Sequence, residues 1–176
     1  MEIIKRTCKS LAALLVLGSL GVNIALAQQD HDAEHSQHKY TLASVCGDYG
    51  AVATYGANIA RALGTEKADG RGKLTGAAIV NQPGPNNTRA LASIGIAGTY
   101  VVNTDGTGSM VLTITLPNGS TASVTEDFVI TKAKVVDGIA IATEIVDAQE
   151  EPSAVIDDRG FVTHTYTLRT APESCR

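Results

Sequence analysis

From Tyr40 onward, apolar and polar residues alternate with a period of two, which is the pattern of half-buried β-strands. The segment 109–116, SMVLTITL, shows it most clearly, because its Met, Leu and Ile residues all fall on one face. The pattern predicts about eight strands, over Asp48 to Tyr55, Ile59 to Ala68, Lys73 to Gln82, Ala90 to Asn103, Ser109 to Leu116, Thr121 to Lys134, Ile139 to Asp147 and Phe161 to Thr170.

Short turns rich in Asp, Asn and Gly separate these strands. They read ADGRG at 68–72, TDGTG at 104–108, PNGS at 117–120, VDGI at 136–139 and DDRG at 157–160. Such residues favour the positive φ angles of tight hairpins. Consecutive hairpins form a meander, and pairing the first strand with the last removes its exposed edges. We therefore expect residues 41–176 to form an all-β domain, an antiparallel up-and-down β-barrel of about eight strands.

One segment also allows a helix. Val52, Tyr55, Ile59 and Leu63 recur with helical spacing, and the alanines between them are good helix formers. We favour two strands here because Gly56 would weaken a helix and the neighbouring hairpins need partners.

The first 27 residues have the organisation of a secretory signal peptide. Three basic residues at positions 5–9 precede an uncharged, largely apolar stretch at 11–26. Ala25 and Ala27 supply the small side chains that signal peptidase reads, which predicts cleavage after Ala27. An uncleaved anchor is the alternative, although about 20 residues are usually needed to span a membrane. We expect a periplasmic or secreted protein without stable membrane insertion after cleavage.

Residues 28–40 form a polar, histidine-containing stretch without apolar periodicity, which predicts a disordered leader. The full chain has a net charge of −4, and loss of residues 1–27, with three basic side chains and one acidic, makes it −6. An acidic domain without a Lys or Arg cluster is repelled by phosphate backbones. We therefore expect no nucleic-acid partner.

Two cysteines remain after cleavage, since the signal peptide contains Cys8. Cys46 lies near the start of the folded part and Cys175 lies one residue from the end. Closure of the barrel would bring both to the same seam, and export favours oxidation, so we expect a disulfide between them. Two free thiols are the alternative.

Two segments carry a resemblance to a known family. The run GTYVVNTDGTG at 98–108 and the run ADGRGKLTG at 68–76 resemble bacterial secreted proteins with an allene-oxide-cyclase-like, calycin-type β-barrel. The resemblance spans roughly Cys46 to Cys175 and rests on turn and strand motifs. It implies a barrel fold. The plant cyclases of this group fold a reactive epoxide in an apolar cavity, but none of their binding residues can be carried over to this chain.

Candidate binding residues fall into two sets. His31, His35 and His38 have spacings at which imidazoles could meet around a metal ion, and a solvated acidic tail is the alternative. Glu126, Glu144 and His164 could supply acid and base groups inside a barrel. By strand alternation we expect Glu144 to face solvent, whereas His164 could face either way.

These observations favour a binding protein over an enzyme. We expect an exported barrel that binds a small apolar ligand, or acts as an envelope or secreted interaction module with a protein partner. Small residues such as Gly95, Ala140 and Ala142 would leave room in the lumen. The alternative is an isomerase or cyclase that works by confinement in the cavity. No catalytic residue and no cofactor are predicted, and the sequence does not indicate an oligomeric state.

Overall fold

The computed structural model of the protein describes residues 39–56, 59–152 and 160–171. These residues form eight strands and two single-turn 3₁₀ helices, which span Leu42–Ser44 and Pro85–Asn87. The strands are β1 (Cys46–Tyr55), β2 (Ala60–Asp69), β3 (Lys73–Pro83), β4 (Arg89–Val102), β5 (Thr107–Thr115), β6 (Thr121–Val136), β7 (Ile139–Gln149) and β8 (Val162–Thr170). Among the described residues, no helix is long and apolar enough to cross a membrane.

The strands form a closed barrel in the order in which they occur in the chain. Every neighbouring pair is antiparallel, and β1 closes the barrel by pairing with β8, with Ala53 opposite His164 and Ala51 opposite Tyr166. The predicted fold class, an antiparallel up-and-down barrel of eight strands, is confirmed. Closure removes the two edge strands that an open meander would expose.

The turns follow the expected chemistry. Four turn glycines have positive φ angles between 71° and 90°, where other residues are strained: Gly70, Gly106, Gly119 and Gly138. In the turn between β4 and β5, Asp105 accepts hydrogen bonds from both the backbone N–H and the hydroxyl of Thr107. The predicted turn at 157–160 lies outside the described residues except for its last glycine.

The segment with helical spacing forms two strands joined by a turn at Gly56, which has a φ of 48°. Tyr55 is buried in the barrel core, whereas Val52 and Leu63 pair across β1 and β2 on the outer surface. Leu63 is 66 % exposed. A helix would have placed all three on one face, so the strand interpretation is the correct one.

The core is built from small, β-branched and tyrosine side chains. Four of the five tyrosines are buried: Tyr49, Tyr55, Tyr100 and Tyr166. Two of their hydroxyls donate to backbone carbonyls, from Tyr49 to Ala142 and from Tyr100 to Val45. Buried hydroxyls need such partners, so these tyrosines fill volume without an unpaired polar group.

One end of the barrel is closed by the chain that leads into β1. Tyr40 donates its backbone N–H to the carbonyl of Thr104, and the helix Leu42–Ser44 follows. Ser44 is fully buried and its hydroxyl accepts the N–H of Thr41. Tyr40 is thus already hydrogen-bonded to the barrel. The predicted signal peptide 1–27 and most of the leader lie outside the described residues.

The disulfide between Cys46 and Cys175 stays a prediction, because Cys175 lies outside the described residues. Cys46 itself is buried at the start of β1.

A bridge that closes a loop of about 130 residues should stabilise the fold by about 4 kcal/mol. Cys175→Ser should therefore lower the free energy of unfolding in urea by that amount without reductant. The difference should vanish in dithiothreitol, and an intact mass without the loss of two hydrogens would contradict the bridge.

Candidate functional site

Acidic side chains are buried inside the barrel. Glu66, Glu126 and Asp147 are all buried, and His164 lies beside them with its side chain 14 % exposed. All described Lys and Arg residues are exposed. Among the described residues, His164 is therefore the only basic side chain in the barrel interior. Ionisable groups are costly to bury and cluster at functional sites, which makes this group the candidate site.

Strand register brings these residues together. Asp147 of β7 is the register partner of His164 of β8, and Glu126 of β6 is the partner of Gln149 of β7. Alternation turns Glu126 inward between the buried Val124 and Phe128, and it turns His164 inward with its neighbour Tyr166. Glu126, Asp147 and His164 are therefore held on three adjacent strands, a rigid support for side-chain positions, and Glu66 comes from β2.

Asp147 is the hydrogen-bonding centre of the cluster. Its Oδ1 accepts the backbone N–H of His164 at 2.8 Å and lies 2.7 Å from the Nδ1 of that imidazole. Its Oδ2 accepts the hydroxyl of Tyr166 at 2.8 Å. The rings of His164 and Tyr166 stack with centroids 5.6 Å apart. The Asp147 carboxylate is thus well satisfied, and it fixes the position of the imidazole.

Glu126 is the least satisfied member. Its side chain is 1 % exposed, and its Oε1 lies 3.7 Å from Nδ1 of His164. In the described part of the chain, two buried side-chain atoms have no hydrogen-bond partner, namely Oε2 of Glu126 and Oε1 of Gln149. Both belong to register partners on adjacent strands. Buried polar atoms without partners are rare, and each calls for an explanation.

Burial raises the pKa of Glu126 to about 8, although the positive charge of His164 works against that shift. Burial also raises the pKa of Glu66 to about 7. Burial alone would lower the pKa of His164, but its hydrogen bond to Asp147 and the surrounding carboxyl groups raise it to about 9. Asp147 is buried too, yet the hydrogen bond and charge of His164 hold its pKa below the usual range.

At neutral pH these values set the charges of three members, while Glu66, with a pKa of about 7, is about half ionised. Asp147 is an anion, His164 is an imidazolium, and Glu126 is mostly a neutral acid. The charges of Asp147 and His164 compensate each other, while Glu126 keeps a proton that it can release when its surroundings change.

Two small cavities lie in the lumen, and Glu66 borders both. We call the first the polar cavity, because Glu66, Glu126, Gln149 and His164 contribute to its wall. Its remaining lining is Ala51, Ala53, Tyr55, Ala62, Gly64, Ala78, Ile94, Ile96, Leu112, Ile114 and Val124. Each cavity measures about 30 Å³, which is room for about two water-sized groups. A typical site that encloses a whole ligand measures about 300 Å³ or more.

Metal binding was expected only of the leader histidines. His31, His35 and His38 lie outside the described residues. Within the barrel, Glu126, Asp147 and His164 each offer one ligand atom, all within 4.8 Å of one another. Nδ1 of His164 is already 2.7 Å from Oδ1 of Asp147, so we describe this group as a hydrogen-bonded cluster.

The three residues proposed from sequence do not meet. Glu126 and His164 both line the polar cavity, but Glu144 lies on the outer surface, where its side chain is 27 % exposed and binds Lys132 at 2.9 Å. The register of β6 and β7 shifts between Ile130 and Lys132, next to this pair.

The small residues that border the polar cavity also differ from the expected set. The expectation that Gly95, Ala140 and Ala142 provide the space is wrong, because none of them lines either cavity. Ala140 and Ala142 are buried, and Gly95 is paired with the exposed Ala77 and Thr115 of its neighbouring strands. The space is left instead by small residues of β1, β2 and β3.

Comparison with known proteins gives no guide to this site. No protein-family model, no curated protein and no solved structure matches the chain. Its function is therefore inferred from the chemistry of the cluster.

Proposed function

We propose that the protein is an exported barrel that binds a small ligand, with one polar group of the ligand held in the polar cavity by Glu126. The observation that carries the proposal is the unpartnered Oε2 of Glu126, a buried carboxyl oxygen that borders the cavity. A barrel kept only for stability would gain by an apolar side chain at this position.

The size of the cavity limits what can enter. A volume of about 30 Å³ admits a head group of a few atoms and excludes an enclosed lipid or a folded chain. The prediction of a small apolar ligand therefore becomes more specific: we expect a small molecule whose polar head enters the lumen. Solvent reaches His164 more readily than Glu126.

The enzyme alternative has less support. Catalysis by confinement needs a cavity that surrounds the substrate, and the polar cavity of about 30 Å³ is too small to do so. Proton abstraction needs a free base, but at neutral pH both His164 and Glu126 hold protons. Asp147 is an anion but is occupied by hydrogen bonds from His164 and Tyr166. Glu66, with a pKa of about 7, is the partly ionised carboxyl group that borders the cavity.

Export and family membership belong to the same proposal. The signal-peptide pattern of residues 1–27 supports a periplasmic or secreted location. The closed eight-stranded barrel is compatible with an allene-oxide-cyclase-like, calycin-type protein. Neither point identifies the ligand.

Native mass spectrometry on the full chain expressed in a bacterial host, recovered from the envelope or medium, tests the proposal. We expect a mature chain that begins at Gln28 and carries an extra mass that denaturation removes. Glu126→Leu should lose that mass, whereas Asp127→Asn, on the exposed face of the same strand, should keep it.

A bare chain in every sample would contradict lumen binding. It would direct attention to the apolar outer row of Val52, Leu63 and Ile79, which are paired across β1, β2 and β3, as a surface for a protein partner.

A further inference from the structure

Resting on the proposed function, we propose that the head group held by the polar cavity is a primary ammonium, which donates hydrogen bonds to Oε2 of Glu126 and Oε1 of Gln149. The two oxygens belong to directly paired residues on β6 and β7, and both are buried without a partner. An amide oxygen is an acceptor only, so the ligand must donate to Gln149. A single ligand group that donates to both Gln149 and Glu126 therefore needs at least two hydrogens.

The charge of the cluster selects among donors with two hydrogens. Glu66, Glu126 and Asp147 carry three carboxyl groups against the single imidazole of His164. When all four are charged, the cluster has an excess of two negative charges. A cationic head compensates part of this excess, whereas a carboxylate or phosphate head would add to it.

The dimensions of the cavity agree with this head. A primary ammonium is close to a water molecule in size, and the polar cavity of about 30 Å³ accepts it. A quaternary ammonium is larger and has no N–H to donate. The alanine-rich wall next to Glu66 offers apolar contact to a short carbon chain attached to the nitrogen.

Binding is coupled to a proton. Glu126 holds a proton at neutral pH and must release it to become the partner of a cation. Five other titratable side chains interact with Glu126, namely Tyr55 of β1, Glu66 of β2, Asp147 of β7, and His164 and Tyr166 of β8. Of these, Glu66 loses its proton over the same range and strengthens the effect. The affinity for an ammonium should therefore rise with pH up to about 8.

Calorimetric titration of the mature chain with methylammonium and ethylammonium at constant ionic strength tests the inference. Methanol, acetate and tetramethylammonium serve as probes that lack the charge, reverse it or lack the N–H group. We expect binding of the two primary ammonium ions alone, with an affinity that rises close to tenfold per pH unit from pH 6 to 8. Glu126→Gln should weaken binding at least tenfold at pH 8, and Asp127→Asn should leave it unchanged.

Other results would overturn the ammonium assignment and leave lumen binding intact. The inference requires that methanol and acetate bind more weakly than methylammonium and that Zn²⁺ at equal concentration does not displace methylammonium. A native ligand that is retained while no ammonium probe competes with it would also overturn the inference. Failure of the proposed function is separate, since it would show as a bare chain in the native mass spectrum.

Discussion

The free energy of unfolding should fall by roughly 9 kcal/mol as the pH rises from 5 to 9, with about 3 kcal/mol from each of three titrating groups. Glu66 and Glu126 keep their protons in the folded protein up to pH values of about 7 and about 8, whereas the unfolded chain loses them near 4.5. His164 keeps its proton up to about 9 instead of 6.5. The folded state therefore binds more protons across this range, and each rise in pH favours unfolding. Asp147 acts in the opposite direction, but only at acidic pH, where its stabilising charge is lost.

Urea denaturation at each pH measures this slope, and Glu126→Gln isolates the largest contribution. Glutamine has the shape of the neutral acid but cannot ionise, so the variant should match the wild type near pH 5. At pH 8 it should be more stable than the wild type by about 2 to 4 kcal/mol. Asp127→Asn changes an exposed carboxyl on the same strand and should follow the wild-type curve. Parallel curves for the wild type and Glu126→Gln would contradict the buried acid.

The fold was accessible from sequence because its signals are local. Each described hairpin has an Asp, Asn or Gly at a position where the backbone requires a positive φ, as at Gly106 and Gly119. Alternation within β5 places Met110, Leu112 and Ile114 in the core as expected. Only the pairing of β1 with β8 is distant in sequence, and it follows from the need to remove both edges.

The site was only partly accessible, because the inward face of a strand cannot always be recognised from hydrophobicity. In β2 the inward residues are Ala60, Ala62, Gly64, Glu66 and Ala68, while the larger Leu63 faces solvent. Glu66 therefore lies on a face of small residues, whereas the one large apolar side chain of β2 lies on the opposite face. The signal that could have found it is the row of small residues itself, which marks a crowded lumen.

Asp147 was missed for a different reason. It lies two residues after Ile145, so simple alternation places it inside, but an aspartate at the end of a strand suggests a turn. Its role became visible only through its register partner His164 and through Tyr166, both on a strand reached across the long β7–β8 connection. Candidate acids on separate strands can be grouped only when the register is known.

Removal of Asp147 tests whether the cluster exists for stability or for binding. Asp147→Leu should cost about 3 to 5 kcal/mol, because the buried imidazolium of His164 and the hydroxyl of Tyr166 both lose their acceptor. The triple variant Asp147→Leu, His164→Leu, Tyr166→Phe removes all three polar partners together. Since well-packed apolar residues often replace a buried ion pair without loss, its stability should return to within about 1 kcal/mol of the wild type.

Urea denaturation at pH 7 compares these two variants with the pair His164→Leu, Tyr166→Phe, which removes both side-chain donors in β8 from Asp147 and leaves it the backbone N–H of residue 164. That pair should be as unstable as the single variant. Recovery in the triple variant would mean that the barrel does not need the cluster to fold. The cost of burying these groups would then have to be offset by the ligand that they bind. A triple variant as unstable as Asp147→Leu would instead assign the cluster a structural role and remove the main support for a lumen site.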